Sequence, residues 1–328
     1  MITLKDIAKA AGVTAATVSR ALNNEPGVKD RTRTKIIALA KEMNYLSGPA
    51  AKRKAETRQG SIGVLWNRPY GLFFNHLCLE LQRQAALRDH YTIVSFAKPD
   101  EALRHFNDHL VDKAIYWCGP GWKPSLEFLQ AKQQFRGNML MLGGASLDGT
   151  HRLEVDRKDA MLKAVRHLAG LGHRRIAFVG SASDKQMGYT IGLLENQLEY
   201  DPDFLMNCHT DIELSQEQVA KVLRKNDPDR ATAVIVDSHG NLFSFIQAIR
   251  KLGLRVPEDF SLIVYESIPE TEKLLDVPIT YVGPNVRELA ERSIGLLLGD
   301  DPLSEGEWHN QTIYPELIVR HTTATPPG

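Results

Sequence analysis

From Ser61 onward the chain alternates short β-type runs with amphipathic helical stretches, and this alternation limits the fold more than any other feature. The runs fall at 62–65, 91–96, 114–118, 139–142, 176–179, 233–236, 262–265 and 279–282, with helical stretches such as 74–88, 160–171, 216–224, 243–252 and 286–298 between most of them. Strands that alternate with helices imply parallel sheets covered by helices on both faces. Some eight strands in about 270 residues divide better into two doubly wound subdomains than they fit one sheet. Open α/β sheets bind ligands at the carboxyl ends of their strands, so the expected site is a cleft between the subdomains.

The segment before Ser61 has a different period. Thr3 is placed to cap a helix whose Leu4, Ile7, Ala8 and Ala11 share one face, and Gly12-Val13 ends it in a tight turn. Thr14 caps a second helix over 15–22 with Val18 and Leu22 inward. A turn at 23–27 leads to a third over 31–43 that presents Ile36, Ile37, Leu39, Ala40 and Met43. Two short helices joined by a glycine turn and braced by a third make a helix-turn-helix unit. Residues 46–60 are polar and basic, too poor in apolar side chains for a core of their own, and read as a linker.

Charge separates the two parts. The first sixty residues carry 12 Lys/Arg against 5 Asp/Glu, and the remainder 28 against 35, so a formal net charge of zero hides a basic head on an acidic body. A compact basic module suits a polyanion, because neutralising phosphates releases counterions. Catalysis has no footing in the sequence: it has no phosphate-cradling glycine loop and no nucleophile elbow, and His105 and His109 lack the intervening glutamate of a metalloprotease helix. No metal site and no cofactor are expected. Cys78, Cys118 and Cys208 lie too far apart for a zinc site or a disulfide scaffold and read as reduced thiols. With no apolar leader and no stretch long enough to span a bilayer, the expected place is the cytoplasm.

Several blocks resemble the LacI/GalR family of bacterial transcription regulators. The segment from Thr3 to Asn23 (TLKDIAKAAGVTAATVSRALN) is similar to that family's helix-turn-helix signature; LAGLGHRRIAFVG at 168–180, LGLRVPEDFSL at 252–262 and PIT at 278–280 are similar to three blocks of its core. The resemblance implies an all-α helix-turn-helix head over 1–46 and a hinge over 47–60. It implies a periplasmic-binding-protein-like α/β core of two doubly wound parallel-sheet subdomains, one over 61–157 and 283–312, the other over 158–282 and 313–328. It further implies a homodimer or tetramer that reads double-stranded, pseudo-palindromic operator DNA, has no membrane part, and is controlled by a sugar or glycoside. A core kept only for dimerisation, and an intracellular sugar-binding protein, remain as alternatives.

On that resemblance Ala15, Ala16 and Arg20 face base edges at the start of the recognition helix, Thr14, Thr17 and Ser19 contact phosphates, and Asn23 adjoins them. Lys52, Arg53 and Lys54 reach DNA from the hinge, with Lys54 where the family often carries a wedging leucine. The expected effector residues are Trp66, Trp117, Lys185, Ser238, His239 and Glu266, with Trp122 as a further stacking face. Lys185 stands at a usual arginine, Ser238-His239 at an Asn-Asp pair, Glu266 at an aspartate, and Gly143 where an aspartate is common.

Overall fold

The computed structural model describes residues 3–22, 26–43, 60–67, 71–109, 111–119, 121–135, 137–208, 214–224, 227–266, 268, 275, 277–299 and 308–327. The chain divides into two compact units, Met1–Gly60 and Ser61–Gly328. Asn23, Lys52, Arg53 and Lys54, and with them nearly all of the expected hinge, lie outside the described residues.

The first unit is a three-helix cluster of α1 (Leu4–Ala11), α2 (Ala15–Leu22) and α3 (Asp30–Glu42). Thr3 starts α1 through a partner the sequence reading passed over. The Asp6 carboxylate accepts from both the Thr3 backbone N–H and the Thr3 hydroxyl at 2.7 Å, which occupies a donor left open at the helix start. Gly12 takes the left-handed conformation at φ 72° and donates to Ala8 O, ending the helix where a residue with a Cβ would be strained. Ile7, Ala8, Ala11, Val18, Ala21, Ile36 and Ala40 fill the core. Ala21 is buried where the sequence suggested Leu22, and Ile37 is exposed: positions 36 and 40 share one helical face, and 37 is turned about 100° away from it.

The second unit contains two six-stranded sheets. The first is built from β1 (Gly60–Leu65), β2 (His90–Ser95), β3 (Lys113–Trp117), β4 (Asn138–Leu142), β5 (His151–Val155) and β11 (Asn310–Ile313), in the order β11-β5-β4-β3-β1-β2. The second is built from β6 (Ile176–Gly180), β7 (Leu205–Asn207), β8 (Ala233–Val236), β9 (Ser261–Tyr265), β10 (Thr280–Gly283) and β12 (Glu316–Ile318), in the order β12-β10-β9-β8-β6-β7. Their cores pair in parallel, as the continuous apolar runs require, and β12 is antiparallel to β10. Helices α4 (Leu72–Ala86), α5 (Pro99–Asp108), α6 (Leu126–Gln134) and α11 (Val286–Leu298) go with the first sheet; α7 (Arg157–Gly170), α8 (Asp184–Glu195), α9 (Gln216–Leu223) and α10 (His239–Lys251) go with the second. The chain passes between the sheets three times, from β5 into α7, from β10 into α11, and from β11 into β12.

Four strands, β5, β7, β11 and β12, were not among the eight runs read from the sequence. Three of them lie at sheet edges, and β5 alternates buried and half-buried residues (HRLEV), so none presents the continuous apolar signal of an interior parallel strand. The three cysteines are free; burial pushes the Cys78 and Cys118 thiols up to about 12 and Cys208 up to about 11, as expected of unreactive sulfurs. His105 and His109 sit on the exposed end of α5 with their rings edge to face.

A buried imidazole closes the far side of the second sheet. His173 is fully buried; its Nε2 lies 2.9 Å from Ala324 O, which can only accept, so Nε2 carries the proton and Nδ1 accepts from the Thr232 hydroxyl at 2.9 Å. Burial holds this imidazole below its ordinary range, with the Ala324 carbonyl opposing the shift, and burial lowers His167 as well. An unfolded chain takes up these protons near about pH 6.5 and the folded chain only at lower pH. Their stabilisation is therefore complete above about pH 6.5 and is lost progressively below it. Melts between pH 8 and 5 are expected to show a flat region and then a falling midpoint. His173→Asn lowers the midpoint at pH 8 and makes the acid fall shallower; an unchanged acid slope in that variant assigns the fall to other groups.

Candidate functional site

Two surfaces gather the residues singled out by the sequence. The first is the start of α2. Thr14 caps it, accepting from the Thr17 N–H at 3.2 Å, and its hydroxyl lies 2.9 Å from that of Thr17. Thr14, Ala16 and Arg20 are exposed, Ala15, Thr17 and Ser19 are half-buried, and Val18 between them is in the core. Ala16 and Arg20 are one turn apart, so one outward stripe carries a methyl group and a guanidinium. Lys35 on α3 donates to Ala11 O at 3.4 Å, tying α3 to the end of α1.

The second surface lies at the carboxyl ends of the second sheet. Its strand order reverses between β6 and β8, the switch point at which a doubly wound sheet opens a crevice. Asp237, directly after β8, accepts at one carboxylate oxygen from Asn241 Nδ2 at 2.7 Å and at the other from Ser181 N at 3.3 Å. Gly180 makes room for it, since a Cβ there would stand 2.4 Å from the Asp237 Cγ. Lys185 reaches from α8, donates to Asp237 O at 2.5 Å and lies 3.8 Å from the Tyr265 ring centre. Burial lowers the Lys185 ammonium from its ordinary range, and the Asp237 and Glu266 carboxylates act against that. Ser238 caps α10, accepting from Asn241 N, and so places His239 at the first helical position. The sequence reading began that helix at 243, where its apolar period starts, and the cap lies a turn earlier.

Glu266 follows β9 in a left-handed conformation, φ 72°, held by its N–H to Val282 O at 3.0 Å. Gly283 has no Cβ, which would stand 2.6 Å from the Glu266 N. The Glu266 Oε2 lies 3.4 Å from His239 Nδ1. Thus Lys185, Ser238, His239 and Glu266 come together, and Asp237, Tyr265, Asn241 and Arg157 join them without having been singled out. Arg157 Nη1 donates to Gly143 O at 2.9 Å on the first sheet, and its guanidinium is close enough to Tyr265 on the second to act on that phenol electrostatically, so one side chain links the two. Position alone could have flagged it, as the second residue after β5 and the first of α7.

The first sheet contributes an aromatic wall at its own carboxyl ends. Trp66 and Trp117 stack at 4.9 Å and 20°, Phe73 and Phe74 pack against them, and exposed Phe96 meets Phe74 edge to face. Trp66 is buried and Trp117 half-buried, so of this pair Trp117 is the one with surface to offer a ligand. Trp122 packs edge to face on Tyr116 and Phe128 instead. A concavity of about 740 Å³ lies at the β10–α11 and β11–β12 crossings; of its charged side chains Arg287, Arg292 and Glu316 are exposed, and Glu80 and Glu288 are half-buried. Low-dielectric surroundings strengthen polar contacts, so the buried cluster is the better recognition site. Among the described residues no group of three or more His, Cys, Asp or Glu is placed to hold a metal ion, and no helix is long and apolar enough to cross a membrane.

Two family models match the chain: one for bacterial regulatory proteins of the lacI family over residues 3–47, and one for a periplasmic binding protein-like domain over 165–323. The HTH-type transcriptional repressor PurR of Mannheimia succiniciproducens is 24% identical over 331 residues, covering 98% of each chain. A LacI family transcriptional regulator from Enterococcus faecium with bound ribose superposes with a TM-score of 0.67 at 23% identity, over 81% of this chain and 99% of that one. The lac repressor dimer bound to operator and the anti-inducer ONPF superposes with a TM-score of 0.63 at 22% identity, over 98% and 99%. At these identities the structural likeness establishes the fold.

Proposed function

Because the chain belongs to the lacI family of bacterial regulatory proteins, and is thereby a DNA-binding transcription regulator, we propose that it is a cytoplasmic, non-enzymatic repressor of a carbohydrate-utilisation operon. Its head reads a pseudo-palindromic operator as part of a homodimer, and a sugar bound at the carboxyl ends of the core sheets sets operator affinity. The observation that carries this reading is the cluster of Lys185, Glu266 and the buried Asp237 and His239 at the switch point of the second sheet, in a chain whose first sheet carries an aromatic wall at its own carboxyl ends and whose head is of the lacI type. Related proteins solved with ribose or with operator and ONPF support the two kinds of partner.

In this reading the exposed stripe of α2 enters the major groove. Ala15 and Ala16 offer methyl groups to thymine, Arg20 donates to guanine, and Thr14, Thr17 and Ser19, with Asn23, Lys52, Arg53 and Lys54, add backbone contacts. Trp117, Lys185, Ser238, His239 and Glu266 form the effector site, with the buried Trp66 ring stacked against Trp117. The effector must bind arrangements of different operator affinity unequally, since equal binding shifts nothing.

Selection of the purified protein against a random-sequence DNA library at physiological salt tests the operator half of the proposal. A pseudo-palindrome with half-sites about one helical turn apart is expected. Only salt-sensitive binding without sequence preference, with and without sugars present, overturns it. On the selected site Arg20→Ala is expected to cost about 1–3 kcal/mol and to relax preference at a single base pair. Uniform weakening across operator variants in a competition titration would make Arg20 a phosphate contact.

A further inference from the structure

The His239 side chain is only 5% exposed, yet among the described residues neither of its ring nitrogens finds a hydrogen-bond partner. Glu266 Oε2 stands 3.4 Å from Nδ1 without completing one. A buried polar group left unpaired is costly, and native folds keep such groups chiefly where a ligand or water completes them. The ring sits at the first position of α10, a helix of 13 residues that begins just beyond the carboxyl end of β8.

The neighbours decide what His239 can receive. A carboxylate oxygen accepts, so the imidazole tautomer that suits Glu266 Oε2 carries its proton on Nδ1, the nitrogen facing it, and leaves Nε2 as an acceptor. The remaining capacity of the cluster is then of two kinds. Nε2 and the Glu266 carboxylate need protons, and Lys185, with one of its three donors on Asp237 O, needs lone pairs. The positive charges are also compensated: Lys185 and Arg157 stand with the Asp156, Asp237 and Glu266 carboxylates, and Arg157 is held by Gly143 O.

We propose, resting on the effector reading above, that His239 and Glu266 select a neutral, hydroxyl-rich effector and reject its acidic and phosphorylated counterparts. A hydroxyl group supplies both a proton and lone pairs, so one class of group satisfies His239 Nε2, Glu266 and Lys185 together. A carboxylate offers lone pairs alone, and a phosphate monoester near neutral pH offers little else. Either meets two acceptors without a proton to share, beside a site with no uncompensated positive charge. A site whose buried polar groups are left unpaired by the wrong ligand discriminates strongly against it.

Two measurements on the full chain test this. In protein labelled with 15N-histidine, long-range 15N–1H correlation near neutral pH, with His239→Gln to assign the signal, is expected to show His239 protonated at Nδ1 and bare at Nε2. Glu266→Gln is expected to shift the proton toward Nε2. A ring protonated at Nε2 in the wild-type chain overturns the proposal without any ligand in hand.

The second measurement is calorimetric titration with D-ribose, D-glucose and D-galactose, their terminal phosphates and their aldonic acids. The neutral member of the series that binds is expected to do so at least tenfold more tightly than its two anionic partners. His239→Leu should weaken it at least tenfold, and His239→Gln, which keeps an acceptor oxygen, should recover part of the loss, with melting temperatures confirming that both variants fold. Tighter binding of an acid or a phosphate overturns this inference and leaves the effector reading standing. Failure of every compound to bind overturns the effector reading and this inference with it.

Discussion

Ile36→Ala is expected to unfold the N-terminal helical unit and abolish operator binding while leaving the melting of the α/β unit unchanged. Ile36 is fully buried at the centre of a seven-residue core formed by α1, α2 and α3. Truncating such a side chain costs about 2–5 kcal/mol, the lost transfer free energy plus the cavity left behind. A unit of some forty ordered residues holds only a few kcal/mol of net stability, at roughly 0.05–0.15 kcal/mol per residue. The loss therefore equals or exceeds what the unit has. The α/β unit has its own buried clusters and does not share this core. Calorimetry should keep the main transition of the wild type, and titration with the selected operator should show only weak, salt-sensitive association. Retention of wild-type operator affinity by this variant would mean that the head tolerates the cavity.

The contrast between the two units also explains what could be read in the sequence. Helix periodicity placed Ile7, Ala8, Ala11, Val18, Ile36 and Ala40 correctly because all of them serve one small core. The interior strands were legible for a similar reason: in β8 and β9 every residue is buried, and an unbroken apolar run is the mark of a strand covered on both faces. The signal fails where burial is one-sided or where backbone pairing alone defines the element, as in β7, β11 and β12. Site residues posed a different problem. Lys185, Ser238, His239 and Glu266 came from resemblance, and no local pattern says that a lysine on α8 will meet the carbonyl after β8. Arg157 and Tyr265 went unremarked because their meaning depends on a contact that joins two sheets. Trp66 shows the converse: a tryptophan next to a strand end looks like a stacking platform, and its ring is instead buried against Trp117 and Phe74.

Lys185→Met is expected to weaken the effector identified by the sugar panel by about a hundredfold or more, with operator affinity in its absence unchanged. One of the three ammonium donors is committed to Asp237 O, which in the proposed site leaves two for the effector. Hydrogen bonds from a charged donor are worth about 1.5–3 kcal/mol each, so losing two corresponds to at least two orders of magnitude in affinity. Methionine keeps much of the aliphatic bulk while removing the ammonium that stands over the Tyr265 ring, which separates loss of the charge from loss of bulk. Removing the ammonium leaves the Asp237 and Glu266 carboxylates less compensated, which costs stability, so a melting curve of the variant accompanies the titration to confirm that it folds. Operator titration decides between two roles for the residue. If effector affinity falls alone, Lys185 is a ligand contact. If operator affinity falls as well, its bond to Asp237 O is part of the coupling itself, because a group that biases the arrangement of the core changes DNA affinity with no effector present.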